Sequence, residues 1–216
     1  MTELFNEWMP NVIAYLDKFS DSCAATVQMF LIAGAFTFVF GFLFGVILTT
    51  TRKDGIAPNK VLFTCVDIFT NIFRSIPFVI LLIFLIPFTR TLVGTAVGVK
   101  GAIVPLVFGA TPFYTRQIES ALATVDEGKV EAARSMGSGT LGIIFRVYIK
   151  ESVPEVIRAT TITAISLIGL TTMAGAVGAG GIGSFAINYG QNLHHKDIVN
   201  VCVVLLLVCV SLIQII

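Results

Sequence analysis

Charge is scarce in this sequence: 12% of its 216 residues are Asp, Glu, Lys or Arg, where a soluble domain carries about 25%. The 14 basic and 13 acidic residues leave a net charge of +1, so no basic field favours nucleic acid. Cys23, Cys65, Cys202 and Cys209 lack metal-ligand spacing, and three of them sit in apolar runs, where a free thiol is a small hydrophobe. His194 and His195 are adjacent and fall outside any H-E-x-x-H pattern, which fits a solvated loop rather than a zinc site. No Gly-x-x-x-x-Gly-Lys followed by Ser or Thr occurs, so these residues form no P-loop for ATP. The acidic amino terminus, MTELFNEWMPNVIAYLDKFSDS, lacks the basic n-region of a cleavable signal peptide.

What fills the sequence instead is apolar: 56% of the residues, arranged in runs long enough to cross a membrane. A crossing helix needs about 20 largely apolar residues. Ala24 to Thr50 is uncharged and reads as the first span. Its Gly41 and Gly45 form a GxxxG, which lets another helix backbone approach, most simply one from the same chain. The second span starts near Val61 and carries Asp67 and Arg74 inside it. These lie seven apart, on one face but too distant for a direct ion pair. Charges at membrane depth face protein or water, so this face packs inside the bundle or near a polar path. Pro77 frees the Phe73 carbonyl and predicts a kink beside Arg74. Gly101 to Thr115, with part of LVGTAVGV before it, predicts a short third span bent by Pro105 and Pro112. A fourth span starts near Ala159 and runs into MAGAVGAGGIG, Met173 to Gly183, after which a partial second segment is expected. Ile198 to Ile216 is the fifth. The fold class is therefore an all-α membrane protein of five transmembrane helices, residues 1–216 forming a single transmembrane domain.

Between the third and fourth spans lies a polar insert, VEAARSMGSGTLGIIFRVYIKESVPEVI, residues 130–157. It shares its side of the membrane with the linker after span one. Together they hold Arg52, Lys53, Lys60, Arg116, Lys129, Arg134, Arg146, Lys150 and Arg158, against Lys18, Arg90, Lys100 and Lys196 on the other side. The positive-inside rule places the insert and the carboxyl terminus in the cytoplasm and the amino terminus outside. Asp126 is positioned to cap a helix beginning near Glu127, and Gly137, Ser138 and Gly139 end it. Ala132 and Ala133 are small enough for a partner surface to come close. A second amphipathic helix follows, with Leu141, Ile144, Phe145, Tyr148 and Ile149 at helical spacing. A short crosswise helix between two spans acts as a lever; the plainer alternative is an interfacial helix lying on the membrane.

EAARSMG followed by a hydrophobic helix resembles the EAA loop of ABC importer membrane subunits: Glu131, Ala132, Ala133 and Gly137 match, Val147 and Ile149 replace an Ile and a Leu, and Lys150 stands where that family has Pro. NIFRSIPFVILLIFLIPFTRTLVGT, GAIVPLVFGATPFYTRQIESAL and TITAISLIGLTTMAGAVGAGGIG are similar to the second, third and fourth spans of the methionine-uptake permeases, and the likeness covers most of the chain from about residue 24. Members of that family usually end with a short basic tail, where this chain ends at SLIQII.

The resemblance implies a type I ABC importer permease core in the bacterial inner membrane. It implies a homodimer in lipid, with two cytoplasmic ATPase subunits that carry the ATP and Mg and an external methionine-binding lipoprotein. Glu131, Ala132, Ala133 and Gly137 would then couple the permease to the ATPase subunits. The substrate path lies between the two copies, where Ser166, Thr171, Thr172 and Met173 on span four are the candidate liners. The glycine run either permits close approach at a gate or packs helices tightly. On this reading the chain is no enzyme and carries no cofactor of its own. It imports methionine, the L-form and with it the D-form, with another amino acid as the alternative.

Rival classes fit less well. A rhomboid-type protease needs Gly-x-Ser-Gly in a span, but Met136 stands at the first Gly position before Ser138 and Gly139. A secondary transporter shows two similar halves with paired broken helices, and no internal repeat occurs here.

Overall fold

The computed structural model describes residues 9–215. The described residues form helices joined by short connections, with no strand among them. Three helices are long and apolar enough to cross a membrane: α2 (Leu16–Thr51), α10 (Val153–Ala174, continued by a π-helical turn to Ala179) and α12 (Lys196–Gln214). Two sharply bent pairs bring the number of crossings to as many as five: α3 (Lys60–Ser75) with α4 (Phe78–Phe84), and α5 (Ile86–Val93) with α6 (Gly98–Leu122). The five-span expectation and the order of the spans hold.

Proline and glycine chemistry explains the bent pairs. At the end of α3, Ile76 is extended (φ −89°, ψ 123°), as a residue before proline tends to be. Pro77 supplies no N–H, so the helix stops rather than kinking mildly. The second pair is bent by 119°, across Gly94 (φ +80°) and Gly98 (φ +72°), conformations that residues with a Cβ rarely adopt. The third span is longer than expected. α6 runs unbroken through Pro105 and Pro112 and past Arg116 to Leu122, because the Arg116 charge is neutralised by neighbours.

The chain forms two compact units. One comprises residues 35–76 and 108–163 and holds the polar insert. Its core gathers Tyr114, Ile118 and Leu122 of α6 with Val130, Ala133, Ile143 and Tyr148 of the insert and Ala159 of α10. The GxxxG of α2 packs on α6 inside this unit. A Cβ on Gly41 would sit 2.7 Å from Tyr114 Cδ1, and one on Gly45 would sit 2.5 Å from Ile118 Cγ2. Tyr114 Oη and Thr160 Oγ1 share a hydrogen bond of 2.8 Å between α6 and α10.

The other unit comprises the described residues up to Gly34, residues 77–107 and those from Ala164 onward. Here the glycine run breaks the helix at Val177 and Gly178. After Gly180 and Gly181, at φ +82° and +77°, the chain returns as α11 (Gly181–Phe185) and a π-helical turn, Ala186–Gln191. The return lies directly against α10: a Cβ on Gly183 would be 2.1 Å from the Thr172 carbonyl oxygen. Thr26 Oγ1 accepts from Ile182 N at 2.8 Å and pins the turn to α2. Of the two roles open to the glycine run, tight packing within the chain is what these distances display. A short helix, α1 (Pro10–Ala14), meets the start of α12, where Asn11 N and Nδ2 donate to the two Asp197 carboxylate oxygens at 3.0 Å each.

Candidate functional site

The polar insert begins as predicted. Asp126 caps α7 (Glu127–Ser135), its carboxylate accepting from Lys129 N at 3.3 Å, and Glu127 places a negative charge at the positive end of the helix dipole. The end of α7 is a Schellman closure. Ser138 N donates to Ala133 O at 3.0 Å and Gly137 N to Arg134 O at 2.9 Å, with Gly137 left-handed at φ +80°. Three polar ties hold the helix in place. Arg134 Nη2 donates to the Ile56 carbonyl at 2.8 Å, Arg52 pairs with Glu127 at 3.6 Å, and Lys129 pairs with Glu151. The Glu151 carboxylate, by its hydrogen bond first and its charge second, holds the Lys129 ammonium above the usual lysine range.

The structure divides the four residues of the EAA pattern. Glu131, Ala132 and Gly137 are exposed. Ala133 is 5% exposed and belongs to the internal core with Ile56, Val130 and Tyr148. Its small side chain lets α7 lie close on its own chain, so its surface is not open to a partner.

The second half of the insert departs from the predicted stripe. After α8 (Thr140–Ile143), a π-helical turn spans Ile144–Tyr148 and leads into α9 (Ile149–Glu151). A π turn has wider i→i+5 closure, so Ile143 and Tyr148, five apart, both point inward. Leu141 and Phe145, expected on the apolar face, are turned outward at 70% and 65% exposure, beside Met136 at 79%. The surface thus presents Glu131 and Ala132 together with three large apolar side chains. The Leu141–Phe145 spacing was visible in the sequence, but nothing there announced the π turn that turns it outward; Met136 carried no signal at all.

On α10 the four candidate liners also separate. Met173 is half exposed, and Ser166 and Thr172 are half-buried. Thr171 is buried, and its hydroxyl donates to the Ile168 carbonyl at 2.7 Å. It faces the interior of the chain. The Thr172 hydroxyl is likewise engaged by Ile168 O, at 3.1 Å. Ser166, Gly169 and Met173 fall on one face of the helix, where nothing lies within 4 Å of a Cβ built on Gly169.

The charges of the second span take different partners. Arg116 of α6 reaches α3, where its Nη2 donates to Asn71 Oδ1 at 2.8 Å and pairs with Asp67, while Nη1 donates to Glu119 at 2.6 Å. Asn71 Nδ2 donates to the other Asp67 oxygen at 3.1 Å. Asp67 and Arg74 do not pair, as their spacing predicts. In the sequence Arg116 counts only among the basic residues of the insert's side. Its partners lie 45 and 49 residues away, a separation that local patterns do not reveal. Arg74, in the last turn of α3, is exposed and has no hydrogen bond or ion pair among the described residues. The four cysteines are free.

A family model described as the inner membrane component of binding-protein-dependent transport systems matches residues 40–216. A probable D-methionine transport system permease protein, MetI, from Vibrio cholerae is 46% identical over 189 residues, 88% of this chain and 84% of its own length. The methionine import system permease protein MetP of Bacillus subtilis is 47% identical over 170 residues, 79% of this chain and 77% of its own. Among solved structures, inward-facing conformations of the MetNI methionine ABC transporter contain a chain that matches with a TM-score of 0.90 at 42% identity, covering 94% of each chain.

Proposed function

Since the chain belongs to the family of inner membrane components of binding-protein-dependent transport systems, we propose that it is the membrane-spanning permease of an ATP-driven importer that carries methionine into the cytoplasm. The observation that carries this reading is the agreement along nearly the whole chain with permeases named for methionine transport, at 42–47% identity. The fold supplies what such a permease needs: spans broken by proline and glycine, and a tethered polar loop with an outward apolar cluster.

The proposed assembly is a homodimer in the bacterial inner membrane, with two cytoplasmic ATPase subunits that bind the ATP and Mg and an external binding protein that delivers the amino acid. The amino terminus lies outside and the loop and carboxyl terminus lie in the cytoplasm, as the basic residues favour. Glu131, Ala132, Gly137 and the apolar trio Met136, Leu141 and Phe145 form the surface received by an ATPase subunit. When ATP draws the two ATPase subunits together, the loop is pulled with them. Its ties to Ile56, Arg52 and the Val130–Tyr148 core oblige the ends of α2, α6 and α10 to follow, because a packed core shifts between discrete arrangements rather than stretching. The Ser166–Gly169–Met173 face of α10 lines the path. Its small and apolar groups suit a methionine side chain.

Uptake of labelled L- and D-methionine by cells from which other methionine routes have been removed tests this. The permease gene, supplied with its ATPase, restores uptake of L-methionine. No restoration, with the protein present in the membrane, contradicts the reading.

A further inference from the structure

Arg74 is a cation with no counter-ion at a depth where one is needed. α3 starts at Lys60 beside the basic linker, and fourteen residues at about 1.5 Å each put Arg74 about 21 Å along it. A hydrocarbon core about 30 Å thick leaves that position inside the bilayer, away from the end of α3 that carries the linker. Charges held there face protein or water and mark functional positions. The acid on the same helix, Asp67, is already held by Arg116 and Asn71.

The backbone around Arg74 is open as well. The last four carbonyls of a helix have no partner within it. Here Ile76 is extended and makes no cap hydrogen bond, and Pro77 has no N–H to offer. The break therefore leaves the carbonyl oxygens of residues 72–75, the turn that carries Arg74, without partners in the helix. A guanidinium takes a carboxylate through paired charged hydrogen bonds, and carbonyl oxygens accept from an ammonium. Broken spans at membrane depth bind substrates with their helix ends in this manner.

We propose that the Arg74 break is an amino-acid zwitterion site on the transport path, with the guanidinium on the α-carboxylate and the α3 carbonyls on the α-ammonium. The site rests on the importer reading above. It adds a residue that recognises the backbone common to amino acids.

The permease–ATPase complex in proteoliposomes, supplied with its binding protein, tests the site. Arg74→Gln lowers methionine uptake at least about tenfold while assembly and basal ATP hydrolysis persist, and Arg74→Lys keeps a larger part because the charge remains. Uptake by Arg74→Gln within about twofold of wild type overturns the site. A second arm places Arg74→Cys in a permease with Cys23, Cys65, Cys202 and Cys209 changed to Ala. Reaction with an anionic, water-borne thiosulfonate supports the site. Reaction only with a membrane-soluble maleimide means that Arg74 faces lipid, where a phospholipid phosphate is its partner, and overturns it. Wild-type complex that imports no methionine contradicts the methionine reading alone. The labelling arm still decides whether position 74 faces water or lipid.

Discussion

Gly45 shows how one residue sets a helix contact. Its missing Cβ lets α2 approach α6 until Ile118 Cγ2 and the Thr115 carbonyl would lie 2.5 Å and 3.0 Å from a side chain there. Both obstacles sit on α6, and one is backbone, so a larger residue has to push the helices apart. Gly45→Leu is expected to destabilise the protein by about 1–3 kcal/mol through overpacking, read as a lower thermal midpoint in detergent; an unchanged midpoint contradicts the contact. A GxxxG in the sequence announces close approach but not to which helix, and this one serves the chain itself. The same limit applied to Ala133 and Thr171. Each belongs to a legible motif or span, yet the direction of the side chain depends on packing partners distant in sequence. Thr171 turns its hydroxyl to its own backbone, and Ala133 enters a core built partly from Ile56 and Tyr148.

Among the elements, helix starts and stops were the most readable. The Asp126 cap, the glycine closure of α7 and the stop at Pro77 follow from local backbone chemistry that a few residues determine. The π turn was not readable, because five residues of ordinary helical preference, IFRVY, carry no local mark of wider closure. That turn is what brings Leu141 and Phe145 to the surface. If the surface docks an ATPase subunit, Phe145→Asp and Glu131→Lys leave the membrane helices folded but uncouple the machine. In reconstituted complexes, methionine uptake falls at least about tenfold while ATP hydrolysis continues or the ATPase dissociates, as loss of a central interface anchor leads one to expect. Normal uptake in both variants removes the docking role. The Gly137 closure belongs to the same element. A β-branched residue there, as in Gly137→Val, meets a left-handed conformation that costs about 1–2 kcal/mol, and it is expected to weaken coupling in the same assay.

For the whole molecule, the number and order of spans were legible because crossing a bilayer demands about 20 apolar residues each time, and charge scarcity leaves few other readings of so apolar a chain. The bent pairs were harder. α3, α4 and α5 are too short to cross singly, and which piece continues which depends on bends at Ile76–Pro77 and Gly94–Gly98. The proposed orientation rests on the basic residues alone. Ser138→Cys, in a permease whose native cysteines are replaced, is expected to react with an impermeant maleimide in inverted vesicles but not in intact cells. Labelling from outside intact cells reverses the topology and takes the loop out of reach of any cytoplasmic ATPase.

The account rests most heavily on ATP-driven methionine import through this chain. The direct measurement is uptake of labelled L-methionine into proteoliposomes holding the permease with its ATPase and binding protein, with ATP supplied on the side of the ATPase. Accumulation that requires ATP and is lost in Glu131→Lys is the predicted result. Accumulation without ATP, or no methionine uptake by an assembled, ATP-hydrolysing complex, would contradict it.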